Sequence, residues 1–279
     1  MKKLFYKILP LAYGKYFDLY ALFFPKKTAK KAFYFFCTIR KGRVLPHQKE
    51  FLDGAKKEII SIENHDIQTY QWPGSKETVL LVHGWESNTF RWRNLIKKLK
   101  EANYNIIAFD APGHGYSTGK YLYAPLYAHA IQANIDKHQP THLIGHSLGG
   151  MTVIYNEYIN KNEFIDKIVT IGSPSEFYKL MNNYQNILKF NNRVLVALDN
   201  YIKDRFGFHV KDFSTSEYIK NNTNKGLLFH DKLDKIAPYI DSENVHKNWK
   251  NSKFVTTEGL GHSMHQESVN DEILNFLNE

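Results

Sequence analysis

Residues 78–82 read Thr-Val-Leu-Leu-Val, apolar at four consecutive positions, whereas a strand with one solvated face would alternate polar and apolar side chains. Such a run needs cover on both faces. Asn105-Ile-Ile-Ala-Phe109, Thr141-His-Leu-Ile144, Lys167-Ile-Val-Thr-Ile171, Gly226-Leu-Leu-Phe229 and Lys253-Phe-Val-Thr256 are strands of the same kind, with helix-like stretches between most of them, the first from Phe90 to Ala102. Repeated strands joined by crossovers of helical length predict an α/β fold, a mostly parallel central sheet with helices on both faces. Ahead of it, Ile60 and Ile62, then Ile67, Thr69 and Tyr70, flank Asn64-His65-Asp66, which predicts a hairpin opening the body. One interval breaks the rhythm. About fifty residues rich in Asn, Phe and Tyr separate Pro174 from Lys225, far more than a crossover needs, and predict an inserted cap at about 175–225.

With 43% hydrophobic and 15% aromatic side chains, 279 residues can bury a sizeable core, which excludes disorder and coiled coil. The net charge of +9 is misleading, because residues 1–43 hold eleven basic side chains and one acid, Asp18, while the other 236 residues set 26 basic against 27 acidic. A near-neutral body offers no broad face for phosphates, so no nucleic-acid partner is expected. Residues 1–55 read as a basic, aromatic-rich helical extension to a body at 56–279: Ala29, Ala32, Phe33 and Phe36 share one helical face, with Lys26, Lys27, Lys30 and Lys31 around the rest. Two readings of this segment stand: its aromatics, from Phe5, Tyr6 and Tyr13 to Phe36, dock the helices onto the body, or residues 1–43 make peripheral contact with an anionic membrane. Lys2 and Lys3 before Leu4, Phe5 and Tyr6 imitate a signal peptide, but Lys7 and Pro10 interrupt the apolar region and no small-residue cleavage site follows. No apolar run near the N-terminus reaches the ~18 residues of a membrane span. The single cysteine, Cys37, excludes an internal disulfide framework and any paired-cysteine metal or redox motif. The expected location is the cytoplasm, with residues 1–43 as the segment for contact with the inner face of the membrane.

Gly145-His146-Ser147-Leu148-Gly149 follows one predicted strand and precedes the helix-like run Gly150 to Tyr158. GxSxG in that context is a nucleophile elbow, a strained turn that lifts Ser147 Oγ into the open, with glycines where a Cβ would collide with neighbouring elements. The helix N-terminus offers the Leu148 N–H to a developing oxyanion. Val82-His83-Gly84-Trp85 ends an earlier strand; Gly84 lets the backbone approach the substrate, and the Trp85 N–H is the candidate second donor. His83 reads as structural.

Four motifs, Val82 to Trp85, Phe109-Asp-Ala-Pro-Gly-His-Gly-Tyr-Ser117, the turn at Ser147 and Gly259-Leu-Gly-His262, resemble in order and spacing the α/β-hydrolase fold superfamily of serine hydrolases, esterases and lipases among them. The likeness runs from about Glu58 to the C-terminus. It implies the order Ser, acid, His, with His262, after the last strand, as base and His265 as its competitor. Asp234, four residues before Pro238, resembles the family acid; Asp231 reads as a turn-shaping residue, and Glu176 is a remote third. His114 in the second motif reads as loop packing. A serine at the nucleophile position, rather than an aspartate or a cysteine, points to acyl transfer. The resemblance therefore implies hydrolysis of a small-molecule carboxylic ester or thioester through an acyl-enzyme, with no cofactor or metal. Amide hydrolysis, perhydrolysis and acyl transfer would use the same residues, and a catalytically silent binding scaffold is the rival from another class. Aromatics of the insertion, Phe177, Tyr178, Tyr184, Phe190 and Tyr201, are candidates either to line the site or to fill the cap's own core.

Overall fold

The computed structural model describes residues 2–279, and side chains from Ile8 onward; readings that rest on the side chains of Lys2, Lys3, Leu4, Phe5, Tyr6 and Lys7 lie outside the described residues. The elements in chain order are α1 (Lys2–Phe23), α2 (Pro25–Cys37), α3 (Lys49–Asp53), β1 (Lys56–Ile62), β2 (His65–Trp72), β3 (Thr78–Val82), α4 (Arg93–Glu101), β4 (Asn105–Phe109), α5 (Ala124–His138), β5 (His142–His146), α6 (Leu148–Asn160), β6 (Lys167–Ile171), α7 (Phe177–Leu188), α8 (Asn192–Phe206), α9 (Thr215–Tyr218), β7 (Lys225–Asp231), α10 (Tyr239–Asn248), β8 (Ser252–Thr257) and α11 (Glu267–Asn278). They form two compact units, one from residues 2–38 and 176–214, the other from 39–175 and 215–279.

The second unit is an eight-stranded sheet in the order β1-β2-β4-β3-β5-β6-β7-β8. The pairs β1/β2 and β2/β4 are antiparallel, and every other pair is parallel. The continuous apolar strands follow from this position. In β3, Val79 and Leu81 face a core with Leu95 and Leu99 of α4 and Ile273 of α11, while Leu80 and Val82 face another with Ile131 of α5 and Val153 of α6. Neither face meets water, so neither tolerates a polar side chain. The opening hairpin turns at Glu63 and Asn64, one step earlier than the sequence suggests. His65 pairs with Ile62 and Asp66 with Ser61, and Asp66 also accepts the Ser61 hydroxyl at 2.9 Å, so the polar pair joins the strand. Residues 39–45, expected to be helical, are not: the Ile39 N–H donates to the Lys120 carbonyl at 2.9 Å, and Arg43 reaches the Ser117 carbonyl at 2.6 Å. These bonds hold the segment along the body instead of closing helical turns.

The first unit packs α1 and α2 with α7 and α8. On α1, Phe17 and Ala21 are buried, and Gly14 lies where a Cβ would overlap the Leu188 carbonyl at the end of α7. Ala29, Ala32 and Phe33 bury the apolar face of α2, and the Tyr184 hydroxyl donates to the Ala32 carbonyl at 3.0 Å. Tyr184 and Phe190 are therefore core residues of this unit, in contact with each other, and Tyr201 packs on Phe33 at 5.4 Å between ring centroids. Tyr184 and Phe190 thus pack in a core that α2 shares, while Tyr201 is half-buried. Tyr178 is exposed. Among the described residues no helix is long and apolar enough to cross a membrane.

Candidate active site

β5 ends at His146 and α6 begins at Leu148, so a single residue, Ser147, reverses the chain direction with φ 54° and ψ −125°. A side chain at positive φ is strained by about 1–2 kcal/mol, and the surroundings over-determine it here. The Ser147 N–H is held by the Ile171 carbonyl at 2.8 Å. Around the turn a Cβ on Gly145 would run into Gly150, one on Gly149 into the Val82 carbonyl and one on Gly150 into Ser173. Helix α6 thus sits too close to the sheet for any residue but glycine at these places, as the sequence reading required.

Ser147, Asp234 and His262 come together from three strand ends. The Ser147 hydroxyl lies 3.0 Å from His262 Nε2, and His262 Nδ1 lies 2.7 Å from Asp234 Oδ2. With Nδ1–H donating to the carboxylate, Nε2 is left as the acceptor for the hydroxyl. The Asp234 side chain is buried, yet its carboxyl is held well below the usual carboxylate range: burial works against the charge, and hydrogen bonds from His230, His262 and the Ile236 amide outweigh it. His265, the competing base, lies exposed ahead of α11, which starts two residues beyond it at Glu267. Asp231 does separate work. Its Oδ1 accepts the Leu233 amide at 2.9 Å, and its Oδ2 accepts the Thr257 hydroxyl and the Leu260 amide, both at 2.8 Å. It ties the turn after β7 to the loop that delivers His262. Glu176 belongs to the other unit, where its carboxylate accepts the Ser214 hydroxyl at 2.8 Å.

Leu148 is the first residue of α6, so its N–H has no acceptor inside the helix. The loop after β3 lies directly opposite: a Cβ on Gly84 would stand 2.9 Å from Ser147 Cβ, which brings the Gly84–Trp85 peptide beside the hydroxyl. Two buried histidines fasten that loop. His83 accepts the Ala111 amide at Nε2 and donates from Nδ1 to the Gly84 carbonyl, at 2.9 and 2.8 Å. His114 accepts the Glu86 amide at Nε2 and donates to the Pro112 carbonyl, both at 3.0 Å. Both rings use both nitrogens on backbone groups, the structural role read for them. Among the described residues no group of three His, Cys, Asp or Glu side chains is arranged to hold a metal ion.

Two further histidines reach the site that sequence reasoning did not single out. His230, the penultimate residue of β7, is fully buried; Nδ1 accepts the Ser242 hydroxyl at 2.7 Å, and Nε2 faces the Ala237 carbonyl at 3.0 Å and Asp234 Oδ2 at 3.3 Å. Between two acceptor oxygens Nε2 must carry the proton, so His230 is a second donor to the buried carboxylate. His146 donates from Nε2 to the His262 carbonyl at 2.9 Å, and burial holds its ring well below the ordinary histidine range. Arg91 donates to the neighbouring Ser263 carbonyl at 2.8 Å. Position at a strand end marked His230 weakly; nothing in the sequence separated it from the other histidines.

Comparison with known proteins adds to this geometry. Residues 77–206 match a family model described as alpha/beta hydrolase fold, and residues 210–279 match one described as TAP-like protein. A pimeloyl-[acyl-carrier protein] methyl ester esterase of Vibrio vulnificus is 28% identical over 110 residues, which is 39% of this chain and only 41% of that relative's length. The uncharacterized hydrolase YugF of Bacillus subtilis is 23% identical, with 75% of this chain and 92% of that protein covered. Among solved structures, the ferulic acid complex of Est1E from Butyrivibrio proteoclasticus superposes with a TM-score of 0.63 at 18% identity, covering 80% of this chain and all of that one. The sheet order, the strained turn at Ser147 and the matched models agree: the chain has the α/β-hydrolase fold.

Proposed function

We propose that this protein is a serine hydrolase that cleaves a carboxylic ester or thioester through an acyl-enzyme. One observation carries the reading: the unbroken hydrogen-bond path from the Ser147 hydroxyl through His262 to a buried, ionised Asp234. Ser147 Oγ attacks the acyl carbon while His262 Nε2 takes its proton. Asp234 keeps the imidazole proton on Nδ1 and balances the charge that the ring acquires. The oxygen of the tetrahedral intermediate takes hydrogen bonds from the Leu148 and Trp85 amides, which are set by the backbone and need no reorganisation. His262 then returns its proton to the leaving alkoxide or thiolate, and a water repeats the sequence in reverse to release the acid. The pimeloyl-[acyl-carrier protein] methyl ester esterase among the relatives supports the reaction class. A silent scaffold would have no need to hold a serine at positive φ beside an oriented imidazole, because that strain destabilises the fold.

The test is covalent labelling with a fluorophosphonate probe, followed by initial rates on p-nitrophenyl esters of increasing chain length. Wild-type protein should label and turn over, and Ser147→Ala should do neither while unfolding at a similar temperature. Turnover unchanged in purified Ser147→Ala would end the proposal.

A further inference from the structure

Helix α1 is apolar on its exposed face as well as on its buried one. Its inward face holds Gly14, Phe17 and Ala21. At 100° per residue the opposite face carries Ile8, Leu11, Lys15, Leu19, Leu22 and Phe23, and it is exposed: Leu19 to 64% and Phe23 to 72%. A helix face turned to water is ordinarily polar, and here Lys15 alone interrupts the apolar row. The row continues into Phe24, and the exposed Lys26, Lys27 and Lys30 follow in the next turns of α2. Lys31 is tied to the same surface, its ammonium donating to the Tyr16 hydroxyl at 2.6 Å and lying 4.5 Å from the Tyr20 ring centroid. Asp18, the one acid among the first 43 residues, accepts the Asn191 amide at 2.7 Å with one oxygen and lies 3.7 Å from the Lys15 ammonium with the other. The outward surface is therefore apolar and aromatic, with Lys26, Lys27, Lys30 and Lys31 as the cationic cluster beside it.

We propose that this face of α1, with the lysines that open α2, seats the protein on an anionic lipid bilayer. The chemistry fits an interfacial helix lying in the membrane plane: leucine and phenylalanine enter the acyl boundary, and lysines beside them reach the headgroups. Crossing is excluded for α1 by Lys15 and Asp18 within it. Lys26, Lys27 and Lys30 give the face a charge that anionic headgroups complement. Ester chemistry at Ser147 plays no part in the argument, so the two proposals stand or fall separately.

The experiment is sedimentation of the full chain with vesicles of phosphatidylcholine alone or with one third phosphatidylglycerol, at low and raised salt. Binding should require the anionic lipid and weaken with salt. Lys26→Gln, Lys27→Gln and Lys30→Gln together should reduce it on the order of a hundredfold, at a factor of about five for each charge. Leu19→Glu with Phe23→Glu should abolish it, while Ile59→Glu, an exposed position of the other unit, should bind as wild type. Should the double variant lose helix content, Phe23→Ser alone should still weaken binding about tenfold or more. Wild-type protein that stays in the supernatant with anionic vesicles at low salt would overturn the proposal, as would undiminished binding by folded Leu19→Glu, Phe23→Glu protein. A dimer that this double variant turns into monomer, without vesicle binding by either, would give the face to a second copy and overturn it equally.

Discussion

Asparagine at position 234 would meet four donors with one acceptor. In the wild type Oδ1 accepts the Ile236 and Ala237 amides at 2.7 and 3.1 Å, and Oδ2 accepts N–H groups from His262 at 2.7 Å and His230 at 3.3 Å. The backbone amides cannot turn, so they keep the asparagine oxygen and leave its NH2 facing both rings. His262 can avoid a clash of donors only by moving its proton to Nε2, and Nε2 then has no lone pair for the Ser147 proton. Base and counter-charge are lost together, which we expect to lower kcat by about four powers of ten, roughly 5 kcal/mol of transition-state stabilisation. Asp231→Asn sets one NH2 against the amides and hydroxyl that the carboxylate now receives, and should remove about 1–3 kcal/mol of stability with kcat within about tenfold of wild type. Initial rates on p-nitrophenyl acetate, paired with urea unfolding of each variant, separate the two losses. Folded Asp231→Asn with the lower kcat, or Asp234→Asn turning over within about tenfold of wild type, would refute the reasoning.

Ser147→Gly should be as inactive as Ser147→Ala but more stable by roughly 1 kcal/mol, because glycine meets the positive φ without strain and loses part of that gain to unfolded-state entropy; a less stable glycine variant would show that the turn is relaxed. Burial lowers the His83 pKa to about 4, and burial together with the neighbouring His83 lowers that of His114 to about 3. Both rings fold neutral, and the unfolded chain takes up protons near pH 6.5, so stability is whole above that value and declines as pH falls toward 4, by about 3 kcal/mol for His83 alone. Urea midpoints that do not change between pH 7.5 and 4.5 would contradict this.

The readable parts of the sequence were those where one physical demand acts locally. A strand buried on both faces must be apolar throughout, which is why β3 and β4 were legible. A serine set between a strand and a helix, with glycines on either side, can hardly be built as anything but a sharp turn that exposes its hydroxyl. The preference for Asp234 over Asp231 came from resemblance to the family's acid, four residues before Pro238, and not from any local physical demand. What escaped depended on partners distant in sequence. His230 looks like any other histidine until α10 supplies Ser242 and the turn supplies Ala237. The hairpin turn slipped by one residue because the Asp66 amide also bonds the Thr118 hydroxyl, 52 positions away. Likewise the aromatics of the insertion found their cover in α1 and α2, and no local pattern in residues 176–214 announces that.

The split of the helical unit along the chain matters during synthesis. Its two segments, residues 2–38 and 176–214, leave the ribosome far apart in time. At about 5–20 residues per second, the roughly 140 residues between them take some 7 to 30 seconds to make. Helices form within about a microsecond, so α1 and α2 can fold locally long before α7 and α8 exist. Through that interval Phe17, Ala21, Ala29 and Phe33 lack the partners that later bury them, and the nascent hairpin is apolar on its inner side as well as its outer one. Completion of α8, not of the chain's first helices, is the event that retires this adhesive surface, and a translational pause ahead of it would prolong the nascent chain's dependence on chaperones.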